Sequence, residues 1–450
     1  MRQVAAVSLS LLAMFGAAVA QTPSSLTESV PLLRDAARVA LRHVRIVDGS
    51  GTPATQNQTL LIESGRIREV GDAAKIEIPE GTLTLDLEGR TVMPGFVMLH
   101  EHMQDGAGDG VTFPASFTAP RLYLAFGVTT IRTAGTDHPY FELNLKRRVD
   151  AGLVPGPEMH LTSPFFNGDG SPFLGEKVVR DPKDARRAVR YWAAEGFTSF
   201  KVYQQISKAA LAAIIDEAHK LGLPVTAHLS SVTCREAAEL GIDNLEHAFG
   251  PCTRLTKDDL GTDPQGPRAQ DLIRLLIERK VVLTFTPVTA NLRLSAAQLE
   301  LLHPVRRERY DREQATATSP PARNVQLAGE LTRAFARAGG QLVLGSDPNA
   351  FGEGRMPGVA DHDSIKRAVE IGFSPLETIR MATLSGATFL GIQDRTGSIG
   401  VGKGADLQVV RGAPDQDIRD IDNIEIVVAN GIAYDPETLL SSVKGQVGWR

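Results

Sequence analysis

The chain has 450 residues, of which 42% are hydrophobic and 22% charged, with a formal net charge of -5. That balance describes a folded globular protein with room for more than one core, excludes a strongly basic chain, and gives no support for a nucleic-acid partner. The 42 glycines and 26 prolines suit many tight connections between short elements.

Residues 1–20 read as a secretory signal peptide. Arg2 supplies a short positive start, residues 4–19 are apolar, and Ala18-Val19-Ala20 forms a small-x-small cleavage site before Gln21. The apolar run is short for a membrane span. The mature protein is therefore expected in the periplasm or outside the cell, with no membrane attachment after cleavage. Residues 21 to about 37 form a polar leader with one short helix. Short alternating strands follow at 41–47, 59–62 and 66–71, punctuated by Gly and Asp. Similar text returns at 405–410 and 424–431. Residues 21–92 and 393–450 are thus expected to build one small β-sandwich-like domain from both chain ends.

Between them, over 93–392, strands alternate with helices. Eight strands are expected at 92–100, 127–132, 158–162, 197–203, 224–228, 244–247, 281–285 and 342–345. Asp181-Pro182 opens a helix that Gly196 closes, and residues 209–221 form an amphipathic helix. Ser374-Pro375-Leu376-Glu377 starts a further helix through about residue 389. This rhythm indicates an α/β fold, a TIM-like (β/α)8 barrel. Residues 286–326 interrupt it with a long, partly basic insertion, which reads as a lid or substrate wall over the barrel mouth.

His100-Glu101-His102 closes the first of these strands. Side chains at i and i+2 of a strand share a face, so two imidazoles leave the strand end together, spaced to hold a metal ion. Lys201, His228, His247 and Asp347 each lie on or just after a later strand. In a parallel barrel the chemistry gathers at the C-terminal strand ends, and together these six residues make a ligand set for two metals. Cys234 and Cys252 lie a few residues beyond His228 and His247. They form either a disulfide or two buried thiols.

Met93-Pro94-Gly95 before His100-x-His102, Lys201-Val202-Tyr203, the two later histidines, Gly345-Ser346-Asp347 and the ending Gly397-Ser398-Ile399 through Gly404-Ala405-Asp406-Leu407 together resemble the metal-dependent amidohydrolase superfamily. The branch is the one similar to imidazolonepropionase-like proteins and Xaa-Pro dipeptidases. The resemblance implies a binuclear centre of two divalent ions, with zinc suited to the donors. His100, His102 and Asp347 would bind the more buried ion and His228 and His247 the other. Lys201, carrying a carbamate derived from carbon dioxide, would bridge them. It implies attack of a metal-bridging hydroxide on an amide or peptide-like C–N bond of a small molecule, with Asp347 as proton shuttle. The same site would serve lactones, esters or cyclic amides, and the non-enzymatic alternative is an inactive metal-binding sensor or scaffold.

Around the mouth the pattern departs from the dipeptidase branch. Tyr203-Gln204-Gln205 replaces Ser-Gly-Gly, and Arg132-Thr133 lacks an acid after the arginine. Tyr203, two residues after Lys201, is a candidate oxyanion stabiliser. Arg355, His138 and His362 are candidate substrate contacts, Arg355 through a substrate carboxylate. Glu101 and Glu246 are candidate hydrogen-bond partners for the metal-binding histidines, but as strand neighbours they are expected to face away. A small-molecule amide or dipeptide-like substrate is expected, no nucleic acid, and a homo-oligomer is left open.

Overall fold

The computed structural model describes residues 38–448, apart from 109–110, 172–173, 255–259, 261–262, 288, 290, 317–322 and 350–351. The expected signal peptide and polar leader lie outside the described residues. Strands β1 (Arg38–Ile46), β2 (Thr55–Glu63), β3 (Arg66–Asp72), β4 (Leu83–Asp86) and β5 (Arg90–Pro94) come first. β2 pairs antiparallel with β1 and with β3, while β4 and β5 run parallel to β1.

The apolar run expected as one strand breaks at Gly95. A side chain there would meet Thr129 at 2.2 Å, and its N–H bonds the Asp406 carbonyl at 3.0 Å. Residues before the glycine therefore join the terminal sheet. Those after it form β6 (Phe96–Glu101), the first of the parallel strands. β7 (Gln104–Gly108) and β8 (Val111–Pro114) make a hairpin above it. Then come β9 (Val128–Thr133), β10 (Glu158–His160), β11 (Phe166–Asn167), β12 (Lys177–Val178), β13 (Phe200–Val202), β14 (Val225–Ala227), β15 (Asn244–Glu246), β16 (Val282–Phe285) and β17 (Leu342–Leu344).

The strands β6, β9 and β10 form one parallel sheet, and β11 to β17 a second, ordered β12-β11-β13-β14-β15-β16-β17. Hydrogen bonds join the two at both edges. Ser163 N donates to Ser199 O and Thr198 N to Leu161 O, each at 3.0 Å, and Asp347 N donates to His100 O at 2.9 Å. Finally β18 (Leu407–Arg411), β19 (Ile424–Ala429) and β20 (Ile432–Tyr434) return to β5, completing an eight-stranded sheet from both chain ends. Val39, Leu41, Leu60, Ile67, Val92 and Leu407 pack into its own apolar cluster.

Local chemistry sets the helices between the strands. Asp181 accepts from Asp184 N at 2.7 Å to cap Pro182–Glu195, and Gly196 ends that helix at φ +108°. Ser207 caps Lys208–Lys220. Thr233 and Glu236 form a capping box on Cys234–Leu240, and Ser374 and Glu377 do the same on Pro375–Arg380. The last helix runs on through a wider turn, Met381–Ser385, to Gly386–Phe389. No described helix is long and apolar enough to cross a membrane.

The two cysteines are bridged: a Cys234–Cys252 disulfide spans 18 residues of sequence and ties the connections leaving β14 and β15. On the chain-entropy account a loop of this length contributes roughly 3 kcal/mol. The Cys234→Ser/Cys252→Ser double variant is expected to lower the denaturant unfolding free energy by about that much. An unchanged midpoint would show that the two loops hold together without the link.

Candidate metal centre

The six residues singled out in the sequence converge at the C-terminal ends of the parallel strands. His100 Nε2 lies 3.5 Å and His102 Nε2 3.2 Å from Asp347 Oδ1. His247 Nε2 is 3.1 Å from His228 Nδ1, and His247 Nδ1 is 3.9 Å from Asp347 Oδ2. One donor atom from each of His100, His247 and Asp347 lies within 4.8 Å of the others. Lys201 is buried below them, its Nζ 3.6 Å from Glu246 Oε1.

The donor set fits a cation. Nitrogen and oxygen ligands at about 2.0–2.1 Å from one tetrahedral ion sit about 3.3 Å apart, close to the Nε2–Oδ1 separations of both His100 and His102. His102 Nδ1 is buried and has no hydrogen-bond partner. Burial, then the neighbouring His100 and His228, push the His247 imidazole well below its ordinary value, which leaves it neutral with a lone pair to offer. Burial alone would raise Asp347, but His100, His102 and His247 hold it well below the usual carboxylate range. Burial also lowers the Lys201 ammonium to about 8.

Beneath the ligands lies a buried polar layer that strand alternation did not lead one to expect. Glu246 Oε2 is 2.7 Å from His100 Nδ1, and its Oε1 accepts from Arg132 Nη2 at 2.6 Å and from the Thr226 hydroxyl. Arg132 also donates to the Leu99 carbonyl and, at 3.2 Å, to Asn244 Oδ1. Burial would raise the Glu246 carboxyl, yet Arg132, Lys201 and His100 hold it well below its ordinary value. The expectation that Glu246 faces away is corrected for a physical reason. Asn244 and Glu246 share the inner face of β15, and His247 leaves the strand at φ +61°. That left-handed turn brings the next side chain inward as well. Asp347 sits in the same region at φ +49°. Non-glycine residues there cost of order 1–3 kcal/mol, and such strain concentrates at functional sites.

Glu101 is also engaged. Ser346 donates to its carboxylate through N at 3.0 Å and Oγ at 2.8 Å, and the Tyr123 hydroxyl does so at 3.1 Å. It thereby pins the turn that carries Asp347. His247 Nδ1 meets Thr286 Oγ1 at 2.8 Å.

A cavity of about 600 Å³ opens above the ligands, bordered by Phe165, Tyr203, Asp137, Glu176, Arg306 and Arg309. Tyr203 packs against Phe165 and His228, both at 5.1 Å between ring centroids, and burial raises its hydroxyl further above the ordinary tyrosine value. Arg306 comes from Pro304–Thr316, a helix of the insertion expected to wall the mouth. It donates to Asp105 Oδ1 at 2.8 Å and Asn349 Oδ1 at 2.6 Å.

The three substrate-contact candidates fare differently. Arg355 is fully buried and donates to the Ser346 carbonyl and, at 3.3 Å, to Asp363. It braces the Asp347 turn from behind and does not reach the cavity. His362 packs between Phe96 and Phe126, bonding Asp422 at 2.8 Å and the Phe126 carbonyl at 2.9 Å. Phe96 begins β6 and Phe126 precedes β9, so His362 lies at the opposite strand ends from the ligands. His138 sits at the rim, its Nε2 3.0 Å from Thr112 Oγ1. Its neighbour Asp137, which the sequence reading passed over, lines the cavity.

Behind that wall, burial pushes Glu142 up to about 8 from 4.5. The folded chain keeps this proton over a window in which the unfolded chain releases it, so the group's contribution to stability falls as pH rises from 4.5 to about 8. Glu142→Gln is therefore expected to raise the melting temperature by several degrees near pH 9 and to change it little near pH 5. Equal shifts at both pH values would contradict the buried protonated carboxyl.

The amidohydrolase family profile matches residues 91–433. Imidazolonepropionase of Nocardia farcinica (strain IFM 10152) is 32% identical over 139 residues, which is 30% of this chain and 32% of that protein. Adenine deaminase 4 of Rhizobium meliloti (strain 1021) is 43% identical over 67 residues, 15% of this chain and 10% of its own length. The chain thus spans about a third or less of the length of these curated relatives. Among solved structures, a Bifidobacterium longum protein proposed to be a prolidase superposes with a TM-score of 0.67 at 26% identity, covering 90% of this chain and 98% of that one. A Xaa-Pro dipeptidase with methionine bound in its active site gives 0.67 at 20% identity, covering 88% and 100%. Phenylurea hydrolase B gives 0.69 at 22% identity, covering 90% and 98%. The resemblance read from the sequence is borne out, and the chain belongs to the amidohydrolase family.

Proposed function

We propose that this chain is a metal-dependent hydrolase of amide or peptide-like C–N bonds in small molecules. The observation that carries the reading is the convergence of His100, His102, Lys201, His228, His247 and Asp347 beneath one cavity of about 600 Å³. The family match supports it, as do hydrolases among the structural relatives, such as phenylurea hydrolase B and a molinate hydrolase.

His100, His102 and Asp347 would hold one divalent ion, and His228 and His247 a second. Lys201, as a carbamate, would lie between them, since a protonated amine has no lone pair to offer a cation. Zinc suits these nitrogen and oxygen donors. When bound, such ions supply a water-derived nucleophile near neutral pH and polarise the scissile carbonyl.

The chain's own groups do the rest. Asp347 holds the proton released by the attacking water and passes it to the leaving nitrogen. Glu246 orients the His100 ring and Thr286 the His247 ring. Tyr203 lines the cavity with its hydroxyl protonated at working pH, and it would donate to the developing oxyanion.

The hydrogen bonds at both edges of the parallel sheets support their closure into one eight-stranded barrel over 93–392. The apolar cluster inside the terminal sheet supports its folding into two layers as a separate domain of 21–92 and 393–450. We place the mature enzyme in the periplasm or medium after cleavage beyond Ala20, a location with which the disulfide agrees. Zinc-loaded mature protein is expected to hydrolyse members of a panel of N-acyl amino acids and dipeptides. Stoichiometric metal with no turnover of any amide would overturn the hydrolase reading in favour of a sensor or scaffold.

A further inference from the structure

A second cavity, of about 430 Å³, adjoins the first, and His228 and His247 line both. Its volume falls within the range of small-molecule sites, about 300–1,000 Å³. It runs between the ends of β15 and β16 and the helices Arg323–Arg337 and Val359–Ile371, with Phe285, Pro287, Val325, Ala328 and Ile371 among its apolar walls. The catalytic roles proposed above do not use it.

Charge is unevenly placed in this chamber. Arg367 is paired with Glu370 at 2.8 Å. Arg333 also lines the chamber, its guanidinium packed over Gly372, but its Nε is buried without a hydrogen-bond partner and the side chain is in no ion pair among the described residues. A largely apolar passage that begins at the metal-site histidines thus carries a guanidinium outside any ion pair, with the Glu330 carboxylate on the same helix also facing the chamber.

The position of Asp347 gives the substrate a direction. Its Oδ1 sits beside His102 at 3.2 Å, whereas its Oδ2 is 3.9 Å from the nearer ring of the His228–His247 pair. The nitrogen that receives a proton from Asp347 must lie on the Asp347 side. The other substituent of the carbonyl carbon then points away, past His228 and His247.

We propose that the second cavity is the acyl subsite: it receives an extended, apolar acyl group ending in a carboxylate that pairs with Arg333. This rests on the hydrolase reading. In the reaction water adds to the carbonyl carbon, the C–N bond breaks, and one proton passes to the nitrogen, giving the free dicarboxylic acid and the amine.

The test uses zinc-loaded protein with N-acetyl, N-hexanoyl and N-adipoyl p-nitroanilides, together with calorimetric binding of acetate, hexanoate and adipate. Each fully buried methylene is worth roughly fourfold, so kcat/KM is expected to rise at least tenfold from acetyl to hexanoyl. A charge-assisted pair with Arg333 adds about tenfold more for adipoyl. The binding series should follow the same order. In Ala328→Phe, and in the rim variant Val325→Trp, the acetyl-to-hexanoyl ratio should collapse towards one. In Arg333→Gln only the adipoyl-to-hexanoyl ratio should do so. Turnover with a flat length profile, or ratios untouched by all three variants, would overturn the subsite. Ordered binding of the acids without turnover of any anilide would uphold the subsite and instead remove the hydrolase reading.

Discussion

Asp347→Asn is expected to reduce kcat by roughly a thousandfold, within the range attributed to a positioned acid–base group, while the protein stays folded. The reasoning begins with the backbone. Asp347 occupies the left-handed region at φ +49°, which asparagine tolerates about as well as aspartate. Its N–H bond to the His100 carbonyl at 2.9 Å does not involve the side chain. The turn before it is held independently, by Glu101 through Ser346 and by Arg355 through the Ser346 carbonyl. The substitution therefore removes a negative charge and a proton acceptor without removing a structural tie. The neighbouring imidazoles hold that carboxylate ionised against the effect of burial, so the variant loses a base and weakens one ligand of the ion that His100 and His102 would hold. Steady-state kinetics on the variant loaded to the same metal content as wild type, beside a thermal melt, would check this. A variant within about threefold of wild type in kcat would exclude Asp347 as the proton carrier.

Glu246→Ala is expected to cost about 3–5 kcal/mol of stability, the range for breaking a buried ion pair from one side. Glu246 is fully buried and is the shared acceptor for Arg132, Thr226 and the His100 ring, with Lys201 a further 3.6 Å away. Its loss leaves the Arg132 guanidinium, also fully buried, without its carboxylate. The same change releases the His100 ring, and partners of this kind are typically worth 10–100-fold in metal affinity. Denaturant unfolding and metal titration should therefore move together. Glu246→Gln keeps the shape and some of the hydrogen bonds, so it should fall between wild type and Glu246→Ala on both axes. A cost below about 1 kcal/mol for Glu246→Ala would mean that the polar layer does not hold the site together.

These two residues mark what was legible in the sequence and what was not. Asp347 was readable because it belongs to a strand-end series: each ligand follows a short apolar run, and a parallel sheet gathers such ends on one rim. The same logic placed Lys201, His228 and His247. Glu246 was set aside as facing outward because period-two alternation was carried one residue too far, and its partner Arg132 went unrecognised with it. His247 leaves its strand through a positive φ, so two successive side chains serve the same interior. A glutamate beside a ligand histidine in an otherwise apolar strand was the available signal. Gly95 hid another boundary, since an unbroken apolar run gives no sign that its two halves enter different sheets. Arg355 and His362 were proposed as mouth residues from their place after the last strand. Sequence position fixes neither which end of the barrel a helix residue reaches nor which carbonyls will claim its donors. The caps at Asp181 and Ser374 were readable for the opposite reason, since everything they need lies within four residues.

The central proposal is that His100, His102 and Asp347 would hold one divalent ion and His228 and His247 a second, with Lys201 between them. Anomalous-scattering diffraction from zinc-loaded crystals grown with bicarbonate tests it most directly. The account predicts two peaks, one bounded by His100, His102 and Asp347 and the other by His228 and His247, with density for a carbamate on Lys201 joining them. One peak alone, or an unmodified Lys201 beside two, would contradict it.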